Sequence, residues 1–376
     1  MDRPPEHREH SDNNRGLLLL LFLATVPAWA LLTYPGWFEL AAGYLPYFNW
    51  RAWAAHPHIL WRPPYPLAPT PYTLPIQEIL TTWGAKMGLS PLAALRFTAI
   101  IALLLGTWLA FRALKSWGPW PALAGALLWL YAPTTLYTTY RLGYWDLLWG
   151  WILIMGLTTP FLPRVLRGKK SLALLTFLVV WSVRWIALPP EWAVWGLVGL
   201  IPLLSMPLWA RALEGVRTPA LLFLLIAGAA VWTLPWAQPR YVAYRPPDHP
   251  LAYYPTQRLV LLEAHVSGTL RPGETVHIRA AWQALRHQDK DWTVFVQVLD
   301  EQNHIHGQGD KLLGGLDYPT SRWRVGQVVF DTYTVPVDPN APRSLRLIMG
   351  VYDRATLQRL HMGNGQDHVV LARTAQ

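Results

Sequence analysis

The stretch that decides the C-terminal fold is TVHIRAAWQA at residues 275–284, in which apolar and polar side chains alternate. A period of two is typical of a β-strand with one buried face. Five further segments share this pattern, and turn signals such as RPGE and DPN separate them. They lie at residues 259–266, 292–299, 328–337, 345–352 and 368–372. Strands at this spacing predict an antiparallel β-sandwich, assigned to residues 258–376, with a proline-rich linker at residues 237–257.

Upstream of the linker the composition changes to long apolar runs. The whole chain has 376 residues, of which 52% are hydrophobic and 14% charged, with 23 tryptophans and no cysteine. Seven runs, each of about 17–22 residues, are long enough to cross ~30 Å of hydrocarbon at about 1.5 Å per residue. They lie at residues 17–34, 91–112, 119–138, 144–162, 172–188, 191–209 and 219–236. The predicted fold class is therefore a polytopic α-helical membrane bundle of about seven spans at 17–236, followed by an extracytoplasmic antiparallel β-sandwich.

Arginine and lysine residues indicate the orientation. They concentrate in the polar tail 1–16, which we expect to be disordered, and in the loops 112–115, 164–170 and 211–217. These segments share one side if the spans alternate, and the positive-inside rule makes that side cytoplasmic. A multi-pass cell-membrane protein with an outward C-terminal domain is the resulting prediction. Whether residues 17–34 form a retained helix or a cleaved signal peptide stays open, because the AWA triplet at 28–30 resembles a cleavage site.

The formal charge of +10 does not indicate a nucleic-acid partner. The basic residues follow the membrane flanks and the β-rich region, and no basic stripe or nucleic-acid motif occurs. The lipid bilayer is the expected partner instead.

Residues 34–90, between the first two runs, form the predicted cap. Structureless loops beyond about 12–15 residues are usually functional or disordered, and the aromatic content of this stretch argues against disorder. Topology places the cap on the outer side of the membrane. It contains Glu39, whose aromatic neighbours Trp37 and Phe38 provide a low-polarity setting that suits a general base. The alternative is an interfacial glutamate that caps a surface helix.

Four other charged residues are candidates for a site on the outward side. Arg141 and Asp146 lie five residues apart at the start of the fourth run. The planar donors of an arginine match phosphate oxygens, and an intramembrane acid suggests a role, although a mutual Arg–Asp pair explains both. Arg96 and Arg184 fall on the same side, and Arg184 either lines a polar cavity or extends to the interface.

Histidine and tryptophan residues give weaker signals. His56 and His58 have a His-x-His spacing without a convergent acid, and His304 and His306 have the same spacing and indicate a surface turn, so no metal site is assigned to either pair. Three sandwich tryptophans could stack on sugar rings, but alternating strands favour a core position for them. They are Trp282, Trp292 and Trp323.

Three stretches resemble the GT-C class of membrane glycosyltransferases, the dolichyl-phosphate-mannose mannosyltransferase-like proteins, in particular bacterial members that end in a β-sandwich. The first is the cap with its acid and the PPYPLAPTPYTLP run at 63–75. The second is YAPTTLYTTYRLGYWDLLWG at 131–150. The third is the C-terminal region, with LRPGETVHIRAAWQAL at 270–285 and YPTSRWRVGQVVFDTYTVPV at 318–337. Where the family usually shows an acid pair and nine or more spans, this chain has one acid and seven runs, as in a shortened or divergent member.

The resemblance implies transfer of a sugar from a polyprenyl-phosphate donor to a glycan or protein acceptor at the outer membrane face. Glu39 and Asp146 are then the catalytic candidates, and a divalent cation held by carboxylates is an open option. Arg141, Arg184 and Arg96 are the substrate-binding candidates. The alternative is a non-catalytic membrane anchor that presents a glycan- or protein-binding β-sandwich.

Overall fold

The computed structural model describes residues 30–34, 36–65, 74–115, 119–131, 133–158 and 239–374. The chain divides into two compact units. The helical unit comprises Met1–Gly36 and Ala52–Tyr241, and the sandwich unit comprises Trp37–Arg51 and Val242–Gln376. The predicted cap at 34–90 is therefore divided, since Trp37–Arg51, here termed the docked segment, folds with the C-terminal region.

Six α-helices occur in the described residues. They are α1 (Leu45–Ala55), α2 (Ile76–Lys86), α3 (Pro91–Leu114), α4 (Pro119–Leu130), α5 (Pro133–Tyr137) and α6 (Trp145–Thr158), with a π-helical turn at Thr138–Leu142. The start of α3 follows from its sequence. The Ser90 side chain accepts a hydrogen bond from the Ala93 amide at 3.3 Å, and Pro91 occupies the first turn, where its missing N–H costs nothing.

The predicted seven-span bundle is wrong. Among the described residues, one helix is long and apolar enough to cross a membrane, α3, over Pro91–Arg112. The predicted run at 119–138 is divided into α4 and α5, because Pro133, the first residue of α5, lacks an N–H and cannot donate to a carbonyl of the preceding turn. In the run at 144–162, helix α6 begins at Trp145 and is described as far as Thr158, and the rest of that run lies outside the described residues. The runs at 172–188, 191–209 and 219–236 lie outside the described residues.

Small residues bring the helices of the helical unit close together. Helix α2 packs against α3 and α6, and α3 also packs against α4 and α6. A Cβ added at Gly84 would lie 3.0 Å from the Ala94 Cβ, and one added at Gly106 would lie 2.1 Å from the Trp129 ring. Such positions permit the close backbone approach that membrane and soluble helix pairs both use.

The predicted antiparallel β-sandwich is confirmed. Its strands are β3 (Ala252–Tyr254), β4 (Leu259–Ser267), β5 (Thr275–Ala284), β6 (Thr293–Leu299), β7 (Ile305–Gln308), β8 (Lys311–Leu312), β9 (Val328–Pro336), β10 (Arg346–Asp353), β11 (Gln358–Arg359) and β12 (His368–Arg373). The first sheet has the order β3-β4-β5-β9, and the second has the order β11-β10-β6-β7, with β12 on β10 and β8 on β6. A separate pair joins β1 (Trp37–Phe38) to β2 (Tyr241–Val242).

Alternate side chains of both sheets form the core. Inward positions of β5, β6 and β10 belong to one buried cluster, so apolar residues exclude water between the sheets. The three tryptophans lie in this core, with Trp282 0%, Trp292 8% and Trp323 3% exposed. They are therefore not platforms for sugar stacking.

One buried carboxylate connects the strands to the loop after β8. Asp331, on β9, accepts hydrogen bonds from the Lys311 ammonium at 2.5 Å, the Gly314 amide at 2.9 Å and the Tyr333 hydroxyl at 3.0 Å. Burial, with the nearby Asp331 carboxylate, raises the pKa of Tyr333 well above its usual value. The carboxylate thus has donors on several sides, which offsets the cost of burying its charge.

Candidate functional site

The docked segment is attached to the sandwich through a charged pair. Glu39 follows β1 directly, and Arg324 follows the 3-10 turn at Thr320–Arg322. The Arg324 guanidinium donates to Glu39 Oε1 at 2.9 Å and to Glu39 Oε2 at 3.4 Å. The Glu39 side chain is 9% exposed and that of Arg324 is 53% exposed. The Glu39 carboxylate in turn raises the pKa of Arg324, as an opposite charge at hydrogen-bond distance does.

Backbone contacts beside this pair leave no room for larger side chains. The side chain of Gln283 is 0% exposed. Its Oε1 accepts a hydrogen bond from the Tyr44 N–H at 3.3 Å, and its Nε2 donates one to the Gly326 carbonyl at 2.7 Å. A Cβ added at Gly326, where φ is +81°, would lie 2.4 Å from the Leu40 carbonyl oxygen. One added at Gly43 would lie 2.3 Å from Gln283 Oε1. The sandwich is therefore shaped to receive this segment.

These contacts suggest a second role for Glu39. A general base must present a lone pair to the acceptor hydroxyl, and both carboxylate oxygens of Glu39 accept from Arg324. The arrangement is that of a charge-assisted anchor. The catalytic assignment of Glu39 stays a prediction.

A different carboxyl group is buried in the helical unit. Glu78, on α2, is 7% exposed, and α2 packs against α6, which carries Asp146 in its first turn. Burial raises the pKa of Glu78 to about 8, and the charge of Asp146 adds to the shift. In the part of the chain that the structure describes, neither arginine nor lysine forms an ion pair with Glu78. Two acids, one of them protonated at neutral pH, thus lie in one packed region.

A tight turn positions Asp146. The π-helical turn ends at Gly143, whose φ of +71° suits glycine and whose N–H donates to the Thr138 carbonyl at 2.9 Å. The Trp145 indole then donates to the Thr139 carbonyl at 3.0 Å. Arg141 belongs to this turn, and Asp146 lies in the first turn of α6, which begins at Trp145. The turn therefore fixes the backbone that connects the two residues.

The remaining predicted residues are placed as follows. Arg96, on α3, donates to the Tyr34 carbonyl within the helical unit. Arg184 lies outside the described residues. Among the described residues, groups of three or more histidine, cysteine or acidic side chains that could hold a metal ion are absent.

Glu78 was missed at the sequence level. Its stretch, LPIQEILTTWGAK at 74–86, contains no motif, and a charged residue in an outward cap is expected to face water. The available signal was the separation of its polar and apolar side chains onto opposite helix faces, which does not tell which face is buried.

Comparison with known proteins gives no match: no protein family, no characterised protein and no solved structure is significantly similar to the chain.

Proposed function

We propose that this chain is a membrane transferase that moves a sugar from a polyprenyl-phosphate donor to a glycan or protein acceptor at the outer face of the cell membrane. The observation that carries the proposal is the burial of Glu78 near Asp146 in the helical unit. A carboxyl group with a pKa of about 8 keeps its proton at neutral pH, so Glu78 is neutral beside Asp146. The resemblance of residues 131–150 to the GT-C class supports assigning transfer chemistry to this turn.

In the proposed reaction Asp146 is the general base. The acceptor oxygen forms a bond to the anomeric carbon of the sugar while the bond from that carbon to the donor phosphate oxygen breaks. Polyprenyl phosphate leaves as an anion, and the acceptor hydroxyl proton passes to the Asp146 carboxylate. Arg141, five residues before Asp146 in the chain, contacts the donor phosphate with the planar donors of its guanidinium. Neutral Glu78 limits the negative charge that a phosphate group would meet.

The test is sugar transfer by membranes that contain the full-length chain, with radiolabelled polyprenyl-phosphate sugar as donor. We expect Asp146→Asn to lose at least about a hundredfold in rate, because general acid–base catalysis typically contributes 10²–10⁴-fold. Glu78→Gln should keep transfer at neutral pH, since the amide reproduces the neutral acid. Equal incorporation by wild type and Asp146→Asn would overturn the proposal.

Two control variants sharpen this comparison. Asp289→Asn changes an exposed acid of the sandwich unit and should transfer like wild type. Glu39→Gln tests the other predicted acid. If Glu39 serves as an anchor, transfer falls only as far as the docked segment is loosened, whereas loss equal to that of Asp146→Asn would restore Glu39 as a catalytic residue.

The second candidate function, a membrane anchor that presents a binding sandwich, is favoured by one surface feature. Phe330 is 48% exposed on β9, and the Arg279 guanidinium lies 5.0 Å from its ring centroid. An exposed aromatic ring beside a cation suits contact with a glycan. Membranes that bind a glycan array through wild type but not through Phe330→Ala, and that show no transfer, would support this function over the first.

A further inference from the structure

The polarity of helix α2 is the reverse of that of a helix in a water-soluble protein. Its buried positions are polar or small, namely Gln77, Glu78, Thr81 and Gly84. Its outer side carries Ile79 at 38%, Trp83 at 64% and, at the C-cap, Met87 at 83% exposure. These three recur at intervals of four residues, which places them on one helix face. In water the apolar face would be the buried one, because burying each such side chain is favourable.

The apolar surface of α2 continues onto its neighbour. Gly84 of α2 packs closely on Ala94 of α3. Among the described helices, α3 is the one long and apolar enough to cross a membrane, and it exposes Phe97 at 46%, Leu104 at 37% and Trp108 at 46%. Two adjacent helices thus expose large apolar side chains, and α2 also buries polar ones. This is the polarity expected of a protein in an apolar solvent.

We infer that the face of α2 formed by Ile79, Trp83 and Met87 lies in the acyl-chain region of the lipid bilayer. The helix has 11 residues, or about 16 Å at 1.5 Å per residue, which is too short to span the membrane, so α2 enters one leaflet beside α3. Lys86, which is exposed, reaches the headgroups with its long side chain. This placement of α2 rests on one part of the proposed function, the location in a membrane, and does not depend on sugar transfer.

This placement gives the buried polar face a reason. With its apolar side in lipid, α2 separates Glu78 from the hydrocarbon and turns it toward α6. A carboxyl group on the lipid side would be expensive to hold there. Because one side of α2 faces lipid, the acid is favoured on the opposite, protein-facing side.

The chain has no cysteine, so single-cysteine variants allow a direct test. Ile79→Cys and Met87→Cys are each given a nitroxide label in the full-length chain, reconstituted in vesicles of phosphatidylethanolamine and phosphatidylglycerol. Collision rates are measured with oxygen, which concentrates in acyl chains, and with the chromium oxalate anion, which stays in water. The control is Leu316→Cys, at a position 84% exposed in the sandwich unit. Circular dichroism of each labelled protein against wild type checks the fold.

We expect the ratio of oxygen to chromium collisions at positions 79 and 87 to exceed that at position 316 by about tenfold or more, because a charged complex is strongly excluded from hydrocarbon. A ratio at position 87 equal to that at 316 would place α2 in water and overturn the inference. Low collision rates with both reagents would mean that protein covers the face, either a second copy or another part of this chain, and would also overturn it. The labelling needs no turnover, so it can succeed where the transfer assay fails.

Discussion

The Glu39 carboxylate and the Arg324 guanidinium, 285 residues apart in the chain, form a two-point ion pair inside the sandwich unit. The pair shows that Trp37–Arg51 is a structural part of the sandwich. Arg51 adds a second charged contact, with its guanidinium 2.6 Å from the Asp248 carboxylate. The C-terminal domain is therefore completed by a segment from near the other end of the chain.

Removing either partner of the Glu39–Arg324 pair should loosen this attachment. We expect Glu39→Gln to lower the free energy of unfolding of the sandwich unit by about 1–3 kcal/mol, the usual range for a hydrogen bond to a charged group. Arg324→Gln should cost a similar amount, and the double variant less than the sum, because the second change removes a group that has already lost its partner. Urea unfolding followed by near-UV circular dichroism gives the three values, and strictly additive losses would refute the coupling.

Gly326→Ala should displace the docked segment. At Gly326 a Cβ would clash with the Leu40 backbone, whereas Gly365 has a similar φ of +83° and nothing within 4 Å of an added Cβ. Alanine at positive φ costs about 1–2 kcal/mol at either site, so the matched Gly365→Ala variant isolates the clash. Trypsin cleavage after Arg51 should accelerate in Gly326→Ala alone. Similar rates in both variants would show that only backbone strain acts.

Asp331→Ala should be among the most destabilising changes in the sandwich. It removes the partner of the Lys311 ammonium and leaves the Gly314 amide without its acceptor. We expect a loss of about 2–4 kcal/mol, since one half of a largely buried pair is removed while Lys311 can still reach water. Asp289→Ala, at an exposed position, should stay within about 0.5 kcal/mol of wild type. Chemical unfolding of both variants checks the difference, and equal stabilities would show that the Asp331 network does not stabilise the sandwich.

Glu78→Gln should change how stability depends on pH. Because the pKa of Glu78 is raised to about 8 from 4.5, the unfolded chain releases this proton between those values while the folded chain keeps it. Stability of the helical unit should therefore fall as pH rises through this window, by at most about 1.4 kcal/mol per pH unit. The glutamine variant should lose that slope and gain stability at pH 7. Thermal unfolding followed by far-UV circular dichroism at several pH values tests this, and parallel profiles for both proteins would contradict it.

Local patterns in the sequence were sufficient for the main strands. The predicted segments 275–284 and 292–299 differ from β5 and β6 by at most one residue at either end, because alternation and turn residues act between neighbours in the chain. The two-residue strands β8 and β11 carry no such pattern and are defined by the strands that they pair with.

The sequence predicted the helix at 91–112, which is α3 at Pro91–Leu114, but not the division of the run at 119–138 into two helices. Pro133 interrupts a run that is continuous in hydropathy, because a proline limits the backbone geometry and a hydropathy average does not record this limit. Asp146 was a candidate from sequence because an acid in an apolar run is conspicuous. Glu78 was not, since its burial depends on the packing of α2 against α3 and α6.

The sequence by itself determined the antiparallel sandwich, the bounds of its six longest strands to within one residue at either end, and its tryptophan core, because each of these strands has a face that must avoid water. Only the tertiary structure decided that Glu39 meets Arg324 and that α2 turns Glu78 inward. Those contacts join surfaces far apart in the chain, and no local periodicity specifies which two surfaces will meet.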